Sequence, residues 1–237
     1  MKTFQQLLEG IYDPNIFKAI FLAGGPGSGK SYVVKKTLGG LGLKVINSDE
    51  PFERYLKREG LSLRMPDEEK IPREIERVRG KKVTAAKKGH AIDGRLGMVI
   101  DGTGKEFDKV SEQANHLRGL GYQVSMVFVN TSLSTALARN EKRKRKVPPH
   151  LAEAGWKAVQ ANLGKFQSFF GPSNFFIVDN NDTQEDLMQL SAKMISRAIK
   201  ISVNNPTATA WIANEMKKKK MSVYKSNTGA GGGYVKK

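Results

Sequence analysis

Eight consecutive residues carry the strongest chemical signal in the chain. Gly24-Gly25-Pro26-Gly27-Ser28-Gly29-Lys30-Ser31 satisfies the P-loop pattern G-x-x-x-x-G-K-[ST]. Glycines at these positions let the backbone curl until successive N–H groups converge on phosphate oxygens. Lys30 brings a cation to the β- and γ-phosphates, and Ser31 offers a hydroxyl to Mg²⁺. A helix starting here adds the positive end of its dipole. The flanks agree, because strand-like AIFLA precedes the loop and helix-like SYVVKKTL follows it. The implied ligands are ATP, or another nucleoside triphosphate, and Mg²⁺.

Two carboxylates and one basic run extend the set. Met98-Val99-Ile100-Asp101 ends an apolar strand in a carboxylate, the Walker-B pattern, so Asp101 is the candidate metal residue, holding Mg²⁺ directly or through water. Asp49 follows a second apolar strand. At that strand's C-terminal end it is either the base that takes a proton from an attacking hydroxyl or a plain helix cap before Pro51. Asp93 reads as an ordinary loop residue. Arg139–Lys146 (RNEKRKRK) holds six basic residues and one Glu. It ends a helix at the position where small P-loop kinases carry a lid, so Arg139 and Arg143 are candidates to close over a triphosphate. The bland alternative is a solvated helix end.

These residues need elements to hold them. Lys18–Ala23, Leu43–Asn47, Met98–Asp101, Tyr122–Asn130 and Phe175–Asp179 are short, β-branched or aromatic runs, as buried parallel strands are. Helical patterns separate them: Ser31–Leu38, Glu106–Leu120, Ser132–Arg145, Leu151–Phe170 and Thr183–Ile201, with Asp182 and Thr183 as caps for the last. Ile71, Ile75, Val78 and Ala86 mark one more amphipathic helix. Its outer face is expected to carry Arg73, Arg77, Lys81 and Lys82, candidate nucleic-acid contacts, along with Lys87 and Lys88. Strand–helix repetition predicts an α/β fold: a three-layer P-loop NTPase with a parallel sheet of about five strands, helices on both faces and a basic C-terminal tail. The expected domains are an amphipathic leader (1–17), a P-loop kinase domain (18–203) and a basic, partly flexible tail (204–237), in which a short helix is expected from Thr207 to Lys220 and SNTGAGGGY reads as flexible linker.

Composition narrows the classes. The 237 residues include 40 Lys+Arg and 23 Asp+Glu, a formal net charge of +17, which points to a polyanion such as nucleic acid among the partners. The tail from Lys200 contributes eight Lys against Glu215 alone. Absence of cysteine excludes disulfides and thiolate chemistry, and three His make a zinc enzyme an unattractive reading. No apolar run is long enough to span a bilayer, so a cytoplasmic setting without membrane contact is expected.

GGPGSGKS, the Asp after the second strand, VIDGT and RNEKRKRKVP together resemble the kinase domain of bacteriophage polynucleotide 5′-kinases and the neighbouring zeta-toxin-like kinases. The closest stretch is Arg139-Asn140, Lys142-Arg143 and Val147-Pro148, and the resemblance runs from about Lys18 to Ile199. It implies Lys30 and Ser31 on phosphates and Mg²⁺, Asp49 as general base, Asp101 near the metal and Arg143 as lid cation. Against the polynucleotide kinases, PFERY offers only Arg54, at a shifted spacing, and no phosphatase domain follows. MKTFQQLLEG resembles the capsid-targeting leaders of some tailed-phage head proteins, although Phe4, Leu7, Leu8 and Ile11 also form a plain docking helix. Three functions follow. One is a kinase acting on a nucleic-acid hydroxyl at a 5′ end or modified base. Another is a zeta-toxin-type kinase of a nucleotide or nucleotide sugar. The last is a nucleic-acid-binding NTPase or packaged phage head protein without phosphotransfer.

Overall fold

The five short apolar runs form one parallel sheet in the computed structural model, which describes residues 10–64, 66–143, 146–181 and 185–218. Strands β1 (Lys18–Ala23), β2 (Lys44–Ile46), β3 (Met98–Asp101), β4 (Gln123–Asn130) and β5 (Phe175–Asp179) lie in the order β2-β3-β1-β4-β5. All six residues of the central strand β1 are buried, as both faces of a parallel sheet must be. Side-chain alternation divides the core. Ile20 and Leu22 point into one apolar cluster, while Ala19, Phe21 and Ala23 point into the other. Leu22 stands beside both Asp101 and Val127, so all the strands end at one edge of the sheet.

Helices cover both faces. Helix α1 (Lys30–Val33) runs into a π-helical turn (Val34–Leu38), and α2 (Asp49–Arg58), α3 (Lys70–Asp93), α4 (Phe107–Gly119) and α5 (Leu133–Glu141) follow. They are succeeded by α6 (Pro149–Ala161), α7 (Leu163–Phe170), α8 (Glu185–Lys200) and α9 (Pro206–Lys218). Val33 and Leu38 meet Ile195 and Ile199 of α8 on one face. On the other, Ala114 and Leu117 of α4 pack with Val159, Phe166, Phe170 and Ala208. The fold is that of a P-loop kinase.

Several boundaries differ from expectation, each for a local reason. The long helix expected over Leu151–Phe170 breaks at Asn162, whose buried amide donates to the carbonyls of Gly104 and Lys105 at 3.1 and 2.9 Å. The lid helix stops at Glu141, four residues early. Asp49 is the first residue of α2, and its N–H is taken by the Asn47 side chain at 2.6 Å. The short helix expected from Thr207 does form, as α9, and beyond that expectation it places Ala208 in the core and Trp211 edge-on against Phe17. Residues 1–9, Lys144, Arg145, Asp182, Thr183 and residues 219–237 lie outside the described residues.

The largest correction concerns α3. Its buried residues are Glu76, Gly80 and Ala91, while Ile71, Ile75 and Val78 face solvent. A Cβ on Gly80 would stand 3.1 Å from the Phe52 backbone nitrogen, so a glycine lets α3 lie directly on α2 and sets its rotation. Arg73 and Arg77 turn inward as a result. Arg73 donates to the Pro66 carbonyl at 2.8 Å, and Arg77 pairs with Glu74 at 3.1 Å over the Phe52 ring. Only Lys81 and Lys82 of the four candidate nucleic-acid contacts are exposed.

Candidate active site

Five strand ends and the loops that follow them build the site, the position at which open parallel sheets hold ligands. The loop after β1 is wedged among its neighbours. Gly27 and Gly29 adopt φ of 79° and 82°, and side chains there would strike the Ala136 carbonyl and the Asn180 amide. Gly25 packs against Trp156, whose indole donates to the Thr131 carbonyl at 2.7 Å. Asn180, just past β5, donates to the Ser28 carbonyl at 2.7 Å, and the Gly24 N–H donates to Thr103 at 2.9 Å. The loop is thus held from four sides before any ligand arrives.

One cleft of about 430 Å³ collects nearly all the residues singled out in the sequence. It is lined by Gly25, Pro26, Gly27, Gly29, Lys30, Ser31, Asp49, Asp101, Arg139 and Arg143, joined by Asn47 and Thr103. Gly24 and Ser28 are buried beneath it. The Lys30 ammonium donates to the carbonyls of Gly24 and Gly25 at 2.5 and 3.4 Å. Burial pushes its pKa down, with Arg143 adding to the effect and Asp101 and Asp49 opposing it. Burial likewise pushes the Asp101 carboxyl up, and the neighbouring Asp49 reinforces the shift. Lys30, an Asn47 hydrogen bond of 2.6 Å and Arg143 pull it back. Asn47 therefore links the two acids, capping α2 beside Asp49 and gripping Asp101.

The oxygens of Ser31, Asp49 and Asp101 suit a hard cation such as Mg²⁺. No group of three or more His, Cys, Asp or Glu able to hold a metal occurs among the described residues. Burial raises the affinity of Asp101 for a proton.

The lid has a simple mechanical basis. Asn140, 1% exposed, donates to the Val147 carbonyl at 2.6 Å and accepts from the Val147 N–H at 3.1 Å. This pair ties Asn140 to Val147, and both Val147 and Arg143 line the cleft. Arg139 donates to the Asn180 carbonyl at 2.6 Å, tying the lid helix to the end of β5. Asn47, Trp156 and Asn180 have no functional signal in the sequence, and Asn140 appears there only as part of the family resemblance, in the Arg-Asn and Val-Pro pairs.

A second cleft of about 500 Å³ opens on the other side of Asp101, between α3 and α4. It shares Ser48, Asp101, Gly102 and Thr103 with the first, and Lys81, Lys88, Lys105 and Lys109 stand around it. Lys88 donates to Gln113 at 3.1 Å, and burial lowers its pKa. A third recess beside Asp49 contains Arg54.

The family model described as Zeta toxin matches residues 12–189, well over half of the chain. The chain belongs to the Zeta toxin family. The match runs from before β1 into α8 and so contains the whole cleft. No curated protein sequence matches significantly. Among solved structures, AvrRxo1-ORF1:-ORF2 with ATP superposes with a TM-score of 0.55 at 14% identity. It matches 69% of this chain, which spans only 54% of that one. A putative kinase from Chloroflexus aurantiacus gives the same TM-score and identity, over 77% of this chain and 98% of that one. At such identities the likeness is one of fold. Fold and family alike are those of P-loop kinase-type phosphotransferases.

No described helix is long and apolar enough to cross a membrane.

Proposed function

We propose that this Zeta toxin family member is an ATP-dependent kinase that phosphorylates a hydroxyl on a phosphate-bearing acceptor, with a nucleic-acid end as the leading candidate. The carrying observation is the pair of clefts meeting at Asp101: a triphosphate-sized cleft around Lys30 and a lysine-rimmed one beside it. ATP lies along the P-loop with its γ-phosphoryl toward Asp49 and Asp101. Mg²⁺, when bound, offsets charge on the phosphates, and Ser31 and Asp101 would hold it. The acceptor oxygen attacks the γ-phosphorus as the bond to the β-phosphate oxygen breaks. Asp49 takes the acceptor's proton, ADP leaves, and Arg143 meets the charge that builds on the transferring group.

The net charge of +17 and the exposed Lys81, Lys82, Lys105 and Lys109 support a nucleic acid. The family match and the size of the second cleft support the other reading, a nucleotide or nucleotide sugar. Labelled ATP incubated with DNA and RNA ends, nucleosides and nucleotide sugars decides between them. Label should move to an acceptor. Label released only as free phosphate would favour an NTPase or a packaged protein and overturn the kinase reading.

A further inference from the structure

Helix α3 shows to solvent what a helix ordinarily buries. Ile71 is 78% exposed, Ile75 51% and Val78 44%, while Glu76 and Gly80 lie inside. Of the ten large hydrophobic residues exposed among the described residues, four belong to α3, and the other six are spread over six separate stretches. At about 100° per residue, Ile71, Ile75, Val78, Lys82, Ala85 and Ala86 fall within an arc of about 100°, the width of an ordinary packing stripe. Val83 lies off it. Scattered apolar residues need no explanation, but a stripe of this periodicity does.

We infer that this stripe is where a second copy of the chain docks, α3 lying antiparallel to the partner's α3 about a two-fold axis near Val78. Two patterns make the surface complementary to itself. The first is size: with Val78 on the axis, Ile71 falls opposite the partner's Ala85 and Ala86, a large side chain over two small ones. The second is charge: acidic residues stand early on this surface, at Glu68 and Glu74, and the exposed cations Lys81 and Lys82 come later. Antiparallel pairing sets Glu74 beside the partner's Lys82, and the reverse pair forms by symmetry. Parallel pairing would oppose like charges.

Other occupants fit less well. Residues 1–9 join at Gly10, and the segment that follows is bonded to the far end of α3, through Phe17 to Arg95 and Asp13 to Gly97. Ile71 lies about 33 Å from that end along the helix. Residues 219–237 carry five Lys and no acid, which suits the later half of α3 poorly. The facing stripes run only about 22 Å, so the buried area sits at or below the low end for stable complexes, and dissociation at micromolar concentrations follows. Ala85 also lines the second cleft, so the partner's Ile71 would stand at that cleft's mouth.

Sedimentation equilibrium from about 5 to 200 µM, in salt of about 0.15 M, tests the inference. The intact chain should show a monomer–dimer equilibrium. Val78→Arg, which places like charges on the axis, should weaken it by at least about tenfold. Glu74→Lys should weaken it as well, and adding Lys82→Glu to the same chain should restore it. Unchanged circular dichroism and melting temperature would establish that each variant folds. A chain that stays monomeric at the highest concentration would overturn the inference. So would a dimer indifferent to Val78→Arg, or a double variant no tighter than Glu74→Lys alone. None of these outcomes depends on the kinase reading.

Discussion

At the edge where the strands begin, buried polar groups find partners within the chain. Asp13 accepts from the N–H groups of Asn15 and Gly97 at 2.7 and 3.2 Å, and the Tyr122 hydroxyl lies 3.3 and 3.4 Å from the carbonyls of Ala91 and Leu96. Even Lys18, pushed down to about 8 by burial, donates to Gln123 and to the Ile201 carbonyl. The edge where the strands end is different. The Ser28 hydroxyl is buried with no partner, Lys30 is pushed down, Asp101 is pushed up, and Lys30 falls back on the carbonyls of its own loop. The first edge satisfies these groups by itself and leaves only the Arg95 Nε buried without a hydrogen-bond partner among its described residues. The other holds polar groups without full partners in the chain, the arrangement expected of a site that gives up stability for a ligand, which under the proposed function is a triphosphate and its cation.

Substitutions can break this contrast. The largest effects belong to the second edge and to rate alone: Lys30→Ala and Asp49→Asn should each lower kcat by on the order of 10²–10⁴-fold. Neither should lower the melting temperature of the ligand-free protein, and single-turnover kinetics beside a thermal scan checks both halves. If Asp49→Asn weakens ATP binding as much as turnover, Asp49 belongs to the metal and not to the acceptor. At the first edge the order reverses. Trp211→Ala should cost about 2–4 kcal/mol of unfolding free energy with kcat of the folded enzyme unchanged. Truncation at Asn204 should destabilise similarly, because it strips Ala208 and Trp211 from the core. Truncation after Lys218 should leave the denaturant midpoint alone and only flatten the salt dependence of polyanion binding.

The smallest effect sharpens the comparison through pH. The folded pKa of Asp101 is raised, so ionising it opposes folding, and that loss sets in as pH climbs past the ordinary carboxylate range. Asp101→Asn should therefore melt a few degrees higher than the parent at pH 7, although less active. The difference should vanish as pH falls below about 3, where the carboxyl is protonated in both states. A variant that melts lower at pH 7 would show that pairing with Lys30 outweighs desolvation.

The sequence made one of these edges legible. Residues 24–31 are contiguous and their chemistry is local, so spacing alone announces them. The five strands are nearly as clear, because burial on both faces leaves unbroken apolar runs such as AIFLA and FFIVD. What stayed hidden depends on pairs far apart in the chain. The rotation of α3 is set by Gly80 meeting Phe52, 28 residues away, and hydrophobic periodicity alone points the wrong face inward. Asn47, Asn162 and Asn180 do their work by accepting or donating across loops, and a single asparagine leaves no pattern. Arg143 stands out in the sequence by its charge, but the bond pair that joins Asn140 to Val147 beside it in the cleft does not.

The two tryptophans of the chain stand one at each edge. Trp156 lies against Gly25 with its indole on the Thr131 carbonyl, while Trp211 packs on Phe17 near the Arg95 guanidinium. They form a built-in pair of optical reporters with separate duties. With Trp211 replaced by Phe, the remaining emission comes from a ring touching the P-loop, so nucleotide arrival can be followed by fluorescence without a label. With Trp156 replaced instead, the same instrument watches only the closed edge, and its signal should stay silent until the protein unfolds.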